Sequence, residues 1–178
     1  RLSTVSGIWR MAGPVWMSAL SGIDQALWDI KGKAAGLPVV DLLGGKFRDG
    51  VEVYTHFSGQ TPEACAAMAK GIVEQGHSAL KSGALSSSGY SFDPYEDDGA
   101  PSATAEMFAA VREAVGPDVK LLIDCHGRFT VANCIRLARA LEPYDLFAFE
   151  DPVPPDDLGA YPKVRHAISI PVMGSERL

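Results

Sequence analysis

The sequence predicts an α/β fold built on a parallel sheet, and three observations predict it. Segments with the composition of strands alternate with helical segments at intervals of about 25–30 residues, the length of a βα unit. The run Lys120-Leu121-Leu122-Ile123-Asp124 is apolar throughout, as in strands covered on both faces, where a half-exposed strand would alternate. The helical segments stop at Gly36, Gly76, Gly116-Pro117 and Pro143, so the unit boundaries are written in residues that cannot continue a helix.

Taken in order, residues 18–35 place Leu20, Ile23, Leu27 and Ile30 at spacings of three and four, an apolar stripe that calls for a packed helix. Gly36-Leu37-Pro38 ends it, and the Gly44-Gly45 pair that follows is a turn, because it lacks the downstream Lys-Ser/Thr of a phosphate loop. At Val51 the period changes: Val51-Glu52-Val53-Tyr54-Thr55-His56 alternates as a strand does. A domain boundary is therefore placed near Asp49, between residues 1–48 and 49–178. Thr61-Pro62 supplies an N-cap and a first helical position, with Cys65, Met68 and Ile72 on the inner face of the helix that follows.

Residues 78–81 form a second strand, ending at Lys81. The Gly/Ser-rich stretch 82–99 is longer than the usual βα connection of about 2–6 residues, and its Tyr90, Phe92, Tyr95 and acidic Glu96-Asp97-Asp98 suit either a lid over a site or a solvated insertion. Phe108, Val111 and Val115 mark the next helix, and residues 120–124 the third strand. Thr130 opens a helix with Val131, Ile135 and Ala138 inward. Residues 146–150 are a fourth strand, 161–167 a short helix and 170–174 a fifth strand.

Composition narrows the functional classes. In 178 residues, 16 Lys+Arg face 22 Asp+Glu for a net charge of −6, and 47% of residues are hydrophobic, too many for a disordered tail. No apolar run approaches the ~20 residues of a membrane span, and no basic cluster offers a footprint for nucleic acid or an anionic membrane. Both partners are excluded. Cys65, Cys125 and Cys134 make an odd set without a CxxC pair, which argues against a disulfide framework or a thiolate zinc site and for a reducing cytoplasm. Arg1 in place of Met, with no signal pattern after it, suggests a chain that begins partway through a gene product.

Chemistry concentrates in three acids at strand ends: Asp124, Glu150 and Glu176, each 26 residues after the last. One βα unit returns the chain to the same end of the next parallel strand, so equal spacing sets three carboxylates along one edge of the sheet, on strands ~4.8 Å apart. Unscreened, they would repel one another, and an all-oxygen set without His or Cys suits Mg²⁺. A single acid at a strand end is ordinarily a cap or a solvated loop residue; the repeat favours metal binding. His126, two residues beyond Asp124, would face the same side by alternation and could act as general acid or base, or satisfy a backbone carbonyl. Arg128 continues the alternation and could hold a substrate carboxylate or hydroxyl, or simply be a surface residue. Lys81 stands at the same rim and joins His126 as a catalytic candidate. His56, ending the first strand, could look into the site and with Arg128 is a candidate for substrate binding.

These residues carry a resemblance. Ser18-Ala19-Leu20-Ser21-Gly22-Ile23-Asp24-Gln25-Ala26-Leu27-Trp28-Asp29-Ile30-Lys31-Gly32-Lys33, Leu42-Leu43-Gly44-Gly45, Asp124-Cys125-His126-Gly127-Arg128-Phe129, Phe149-Glu150-Asp151-Pro152-Val153 and Gly174-Ser175-Glu176-Arg177-Leu178 resemble the mandelate racemase/muconate lactonizing enzyme group of the enolase superfamily, most of all its acid-sugar dehydratases of galactonate or mannonate type. The resemblance covers nearly the whole chain. It implies a partial (β/α)8 barrel of about five strands, preceded by the last helical part of an α+β capping domain. It implies Mg²⁺ on Asp124, Glu150 and Glu176, a substrate carboxylate on the ion, and loss of the α-proton through a stabilised enediolate. The matching His126 would protonate the departing 3-hydroxyl of a sugar acid, giving a 2-keto-3-deoxy acid. Many members carry Lys-x-Lys at the end of the second strand, whereas here Gly83 follows Lys81 by two, which disfavours a racemase using the second lysine as base. A racemase or epimerase on the same scaffold and a catalytically incomplete metal-binding fragment are the alternatives. The expected base, the sixth to eighth strands and most of the capping domain would lie outside this sequence, and a homo-oligomer is expected.

Overall fold

A computed structural model describes residues 13–84, 100–155, 157 and 159–174. Glu176 and the part of the 82–99 stretch beyond Ala84 lie outside these. The chain divides into two units, Arg1–Val51 and Glu52–Leu178.

In the first unit, α1 (Pro14–Ala35) begins with proline in its first turn, where a missing N–H costs nothing, and ends at Gly36, which is left-handed at φ 66°. The Gly36 and Leu37 amides donate to the carbonyls of Lys33 and Gly32 at 3.3 and 3.0 Å, closing the last turn. A Cβ on Gly32 would stand 2.9 Å from the Leu37 carbonyl oxygen, so this close return of the chain requires glycine. The short α2 (Val39–Leu42) follows. The apolar stripe of α1 does not pack as its periodicity predicts: Ile23, Leu27 and Ile30 are all more than half exposed. Among the described residues of this unit, only the four-residue α2 lies beside the helix, too little surface to cover the stripe.

The second unit is a five-stranded sheet in the order β1-β2-β3-β4-β5, every neighbouring pair parallel. Its strands are β1 (Thr55–His56), β2 (Ala79–Gly83), β3 (Lys120–Asp124), β4 (Ala148–Glu150) and β5 (Val172–Met173). Its helices are α3 (Pro62–Glu74), α4 (Ala100–Val115), α5 (Val131–Leu141), which runs into a 3-10 turn at Glu142–Tyr144, and α6 (Ala160–Ala167). Strands adjacent in sequence are adjacent in space, the singly wound order of a barrel wall, in which each helix covers one face of the sheet. Leu80, Leu121, Ile123 and Phe149 meet Met107, Phe108, Leu137, Leu141 and Val164 in a core without solvent contact. Phe57 packs edge-to-face on Phe108 with ring centres 5.9 Å apart, an arrangement aromatic quadrupoles favour. Thr61 and Thr130 cap α3 and α5 as their positions predict, their hydroxyls accepting from the amides of Ala64 and Asn133 at 3.2 Å.

Several elements differ from the reading of the sequence. The first strand pairs only at Thr55 and His56, because β2 begins just before Leu80, the partner of Thr55, and leaves residues 51–53 no ladder to join. Glu52 instead accepts from Lys120 Nζ at 2.5 Å and Ser78 Oγ at 3.1 Å. In α3 the buried residues are Cys65, Ala69 and Ile72; Met68 turns outward and its sulfur accepts the Ser58 amide at 3.4 Å. In α5, Cys134, Leu137, Ala138 and Leu141 are buried while Val131 and Ile135 pack against the edge of the core.

The 3-10 turn is tied to the chain entering β5 by Glu142, whose Oε1 accepts the Ser169 amide at 2.9 Å and the Ser169 hydroxyl at 2.8 Å. These bonds hold the Glu142 carboxyl below the usual carboxylate range. A group with a depressed folded pKa stabilises the fold above its ordinary pKa of about 4.3, and that stabilisation is lost as pH falls through the folded value. Glu142→Gln is therefore expected to be less stable than the parent at pH 7, with the difference shrinking as acid protonates the carboxylate, measured as urea midpoints; a difference that stays undiminished in acid would contradict this tie.

Candidate active site at the carboxyl ends of the strands

Strand register builds the site. Gly83 lies opposite Asp124, and Asp124 opposite Glu150, so the two acids end adjacent strands side by side. Alternation gives Leu121, Ile123 and Phe149 to the helices and Leu122, Asp124, Ala148 and Glu150 to the other face. Lys81, two residues below the end of β2 and paired with Leu122, rises between the acids. Its Nζ lies 2.8 Å from Glu150 Oε2 and 3.2 Å from Asp124 Oδ2, and all three side chains are buried. Burial pulls the ammonium toward neutrality, but its bonds to Glu150, Tyr54 and Asp124 outweigh this and hold its pKa above the ordinary lysine value, so Lys81 is charged.

The sequence reading set Lys81 at the rim, whereas the structure makes it the centre of the cluster. Tyr54, not among the residues the sequence singles out, lies with its ring centre 4.7 Å from Lys81 Nζ. Tyr54 occurs two residues before His56, and that spacing was the available signal, since both fall on one face of an extended segment. The ring of His56 meets Tyr54 edge-on with centres 5.6 Å apart, which places His56 at the same end of the sheet as Lys81, its partner in register.

Beyond Asp124 the chain turns sharply. His126 and Gly127 are both left-handed, at φ 52° and 64°. The His126 amide donates to Asp124 Oδ1 at 3.0 Å, and the Arg128 amide to the Cys125 carbonyl at 3.1 Å. Gly127 needs its identity twice over: its φ is positive, and a Cβ would stand 3.3 Å from the Val153 carbonyl oxygen. His126 does reach the acids, its Nε2 3.5 Å from Asp124 Oδ2, while about half of the side chain stays accessible. It arrives by a turn, where alternation along a strand was expected. That turn breaks the alternation for Arg128, which is exposed and lines a shallow cleft with Thr130, Pro154 and Asp157.

The loop after β4 locks against this turn. Asp151, buried and left-handed at φ 39°, donates its amide to the Met173 carbonyl at 2.9 Å and accepts the Gly127 amide at 2.8 Å. Its Oδ1 accepts the Tyr161 hydroxyl at 3.3 Å, which joins the loop to the first turn of α6. In the sequence Asp151 stands only as part of the Phe149-Glu150-Asp151-Pro152-Val153 motif, with nothing in its spacing to mark it as a tie between loops. Together with the Cys125 amide on the Glu150 carbonyl, at 2.9 Å, these bonds fix the ends of β3, β4 and β5 to one another.

Among the described residues, no group of three or more His, Cys, Asp or Glu side chains forms a metal cage. What the structure does show is a pair of buried carboxylates whose oxygens converge on one cation, the Lys81 ammonium. Such a donor set, anionic and all oxygen, fits a hard divalent ion.

A singly wound parallel sheet, covered by helices and carrying its charged cluster at the carboxyl ends of its strands, defines a (β/α)-barrel protein with its site where such barrels place it. The chain belongs to the enolase C-terminal domain-like family, which its residues 64–178 match; residues 3–44 match the mandelate racemase / muconate lactonizing enzyme N-terminal domain. It is 40% identical to a D-galactonate dehydratase family member of Catenulispora acidiphila over 100% of this chain and 45% of that protein. With a D-mannonate dehydratase of Caulobacter vibrioides it shares 40% identity over 94% of this chain and 46% of that one. An enolase from Pantoea ananatis, solved with bound D-gluconate and Mg, superposes with a TM-score of 0.75 at 33% identity, over 85% of this chain and 43% of the other. The chain thus spans about half the length of the relatives it matches.

No helix among the described residues is long and apolar enough to cross a membrane.

Proposed function

We propose that the protein carrying this chain is a Mg²⁺-dependent dehydratase of a sugar acid, converting an aldonate to a 2-keto-3-deoxy acid. The observation that carries the reading is the cluster of Asp124, Glu150, Lys81 and His126 at the carboxyl ends of β2, β3 and β4, and the names of the related dehydratases support it. In this reading residues 49–178 supply the first five βα units of the barrel and residues 1–48 the last helical part of a capping domain. Asp124 and Glu150, with Glu176, would hold Mg²⁺. The ion supplies positive charge against the substrate carboxylate, which makes the neighbouring proton acidic.

The chain's own residues do the rest. Lys81, held charged and aimed at the same point as the acids, is a donor for the substrate carboxylate. His126, beside Asp124 and half accessible, hands a proton to the 3-hydroxyl as its bond to carbon breaks, so that the hydroxyl leaves as water. The resulting enol takes a proton at C3 to give the keto acid. His56, at the same end of the sheet, and Arg128, in the neighbouring cleft beyond the turn, are the candidates for contact with the polyol chain. We assign removal of the α-proton to none of the described residues.

The test is product analysis with the full-length protein, Mg²⁺ and a panel of aldonates. A keto acid that traps with semicarbazide is expected, and His126→Asn is expected to lower its formation by roughly 10²–10³-fold while Mg²⁺ affinity is retained. An epimer without keto acid would establish the racemase reading instead, and an unchanged rate in the variant would remove His126 from the acid role.

A further inference from the structure

We infer that Lys81 is a tethered counter-ion that shares one seat with the divalent cation, so that ammonium and metal exchange for Asp124 and Glu150. The inference rests on the Mg²⁺ reading above and concerns what the chain does with its paired carboxylates before and after loading.

Lys81, Asp124 and Glu150 are 5%, 6% and 6% exposed. Two carboxylates on adjacent strands, cut off from water, repel each other and need a positive charge between them. The Lys81 ammonium supplies it, at 2.8 and 3.2 Å from one oxygen of each. A Mg²⁺ ion binds carboxylate oxygen at ~2.1 Å. Bound to the same oxygen of Glu150, it would stand less than about 5 Å from the ammonium, where two cations shielded from water repel strongly. The two cations therefore compete for the oxygens the ammonium now holds. The lysine is on a flexible four-carbon stem, and the Tyr54 ring, over which Nζ already lies at 4.7 Å and which His56 meets edge-on, keeps an aromatic face against the charge as it moves off the acids. The site thus carries part of its own counter-charge when no metal is held, and loading releases an ammonium at the edge where substrate would bind.

Lys81→Met in the full-length protein tests the exchange, read by thermal unfolding and by Mg²⁺ titration calorimetry. Without Mg²⁺ the variant is expected to melt about 10 °C below the parent, because two buried carboxylates lose the cation they share. With Mg²⁺ its gain in Tm should exceed the parent's, and its Mg²⁺ dissociation constant should be lower by about tenfold or more, since no ammonium has to be displaced. Lys81→Arg, which keeps the charge, should not show this tightening. Equal Mg²⁺ affinity and equal Tm gain in parent and Lys81→Met would overturn the exchange and leave the Mg²⁺ reading standing. Absence of Mg²⁺ binding to either would remove both. Should Lys81→Met not fold without Mg²⁺, the double variant Glu150→Gln/Lys81→Met, which leaves one carboxylate to neutralise, is expected to fold; failure of the double variant too would overturn the counter-ion role.

Discussion

Replacing Glu150 by Gln is expected to lower turnover by about a thousandfold and Mg²⁺ affinity by at least about tenfold. Glu150 is buried at the end of β4, shares one cation with Asp124, and accepts the shorter of the two bonds from Lys81, at 2.8 Å. The amide keeps the shape of the carboxylate and removes the charge that holds a cation there. It also leaves Lys81 with Asp124 as its remaining carboxylate, so a stability loss of about 2 kcal/mol accompanies the change. Calorimetric Mg²⁺ titration and steady-state rates check both effects, with circular dichroism to establish that the variant is folded. Parental Mg²⁺ affinity in a folded Glu150→Gln protein would place the metal elsewhere.

The second large effect is on stability alone. Arg112, in the last turn of α4, donates to five main-chain carbonyls: Gly116 at 2.8 Å, Pro117 at 3.5 Å, Val119 at 2.7 Å, Tyr144 at 3.0 Å and Asp145 at 3.1 Å. These belong to the connections that lead into β3 and β4, so one guanidinium holds two strand entrances to the end of a helix. Burial lowers the Arg112 pKa, opposed by Asp145, yet guanidinium remains charged at any pH at which the protein folds. Arg112→Ala is expected to cost about 3 kcal/mol, discounted for the partial access of water, and to lower Tm by roughly 6–12 °C. Arg112→Lys should recover less than half, because an ammonium, with three donors, cannot serve five carbonyls. Mg²⁺ affinity should be unchanged in both, since these strand entrances lie at the opposite ends of β3 and β4 from Asp124 and Glu150. A urea midpoint for Arg112→Ala close to the parent's would show that water replaces these bonds without loss.

Features set by local rules were legible in the sequence. Thr61 and Thr130 announce their helices because an N-cap depends on residues within one turn. β3 is read correctly at both ends because it is buried on both faces and its composition says so. The adjacency of Asp124 and Glu150 follows from the length of a βα unit alone. What the sequence hid depends on partners far along the chain. Arg112 reads as an ordinary basic residue at a helix end until the Tyr144 and Asp145 carbonyls arrive from more than 30 residues away. Lys81 reads as a rim lysine because its bonds to Asp124 and Glu150 span 43 and 69 residues. His126 and Arg128 show the limit of alternation: the rule was extended past the end of β3, into residues whose amides take side-chain and turn partners.

The left-handed backbone at His126 has a further consequence. L-residues with a Cβ avoid that conformation by roughly 1–2 kcal/mol, and asparagine and glycine tolerate it best. The chain sets a histidine where its own main chain would prefer either, directly against a glycine in the same conformation. Durability and turnover therefore pull this position in opposite directions. Under selection for heat resistance alone His126 would be among the first residues replaced, and the Asn variant, which lacks the proposed proton donor, should outlast its parent at elevated temperature.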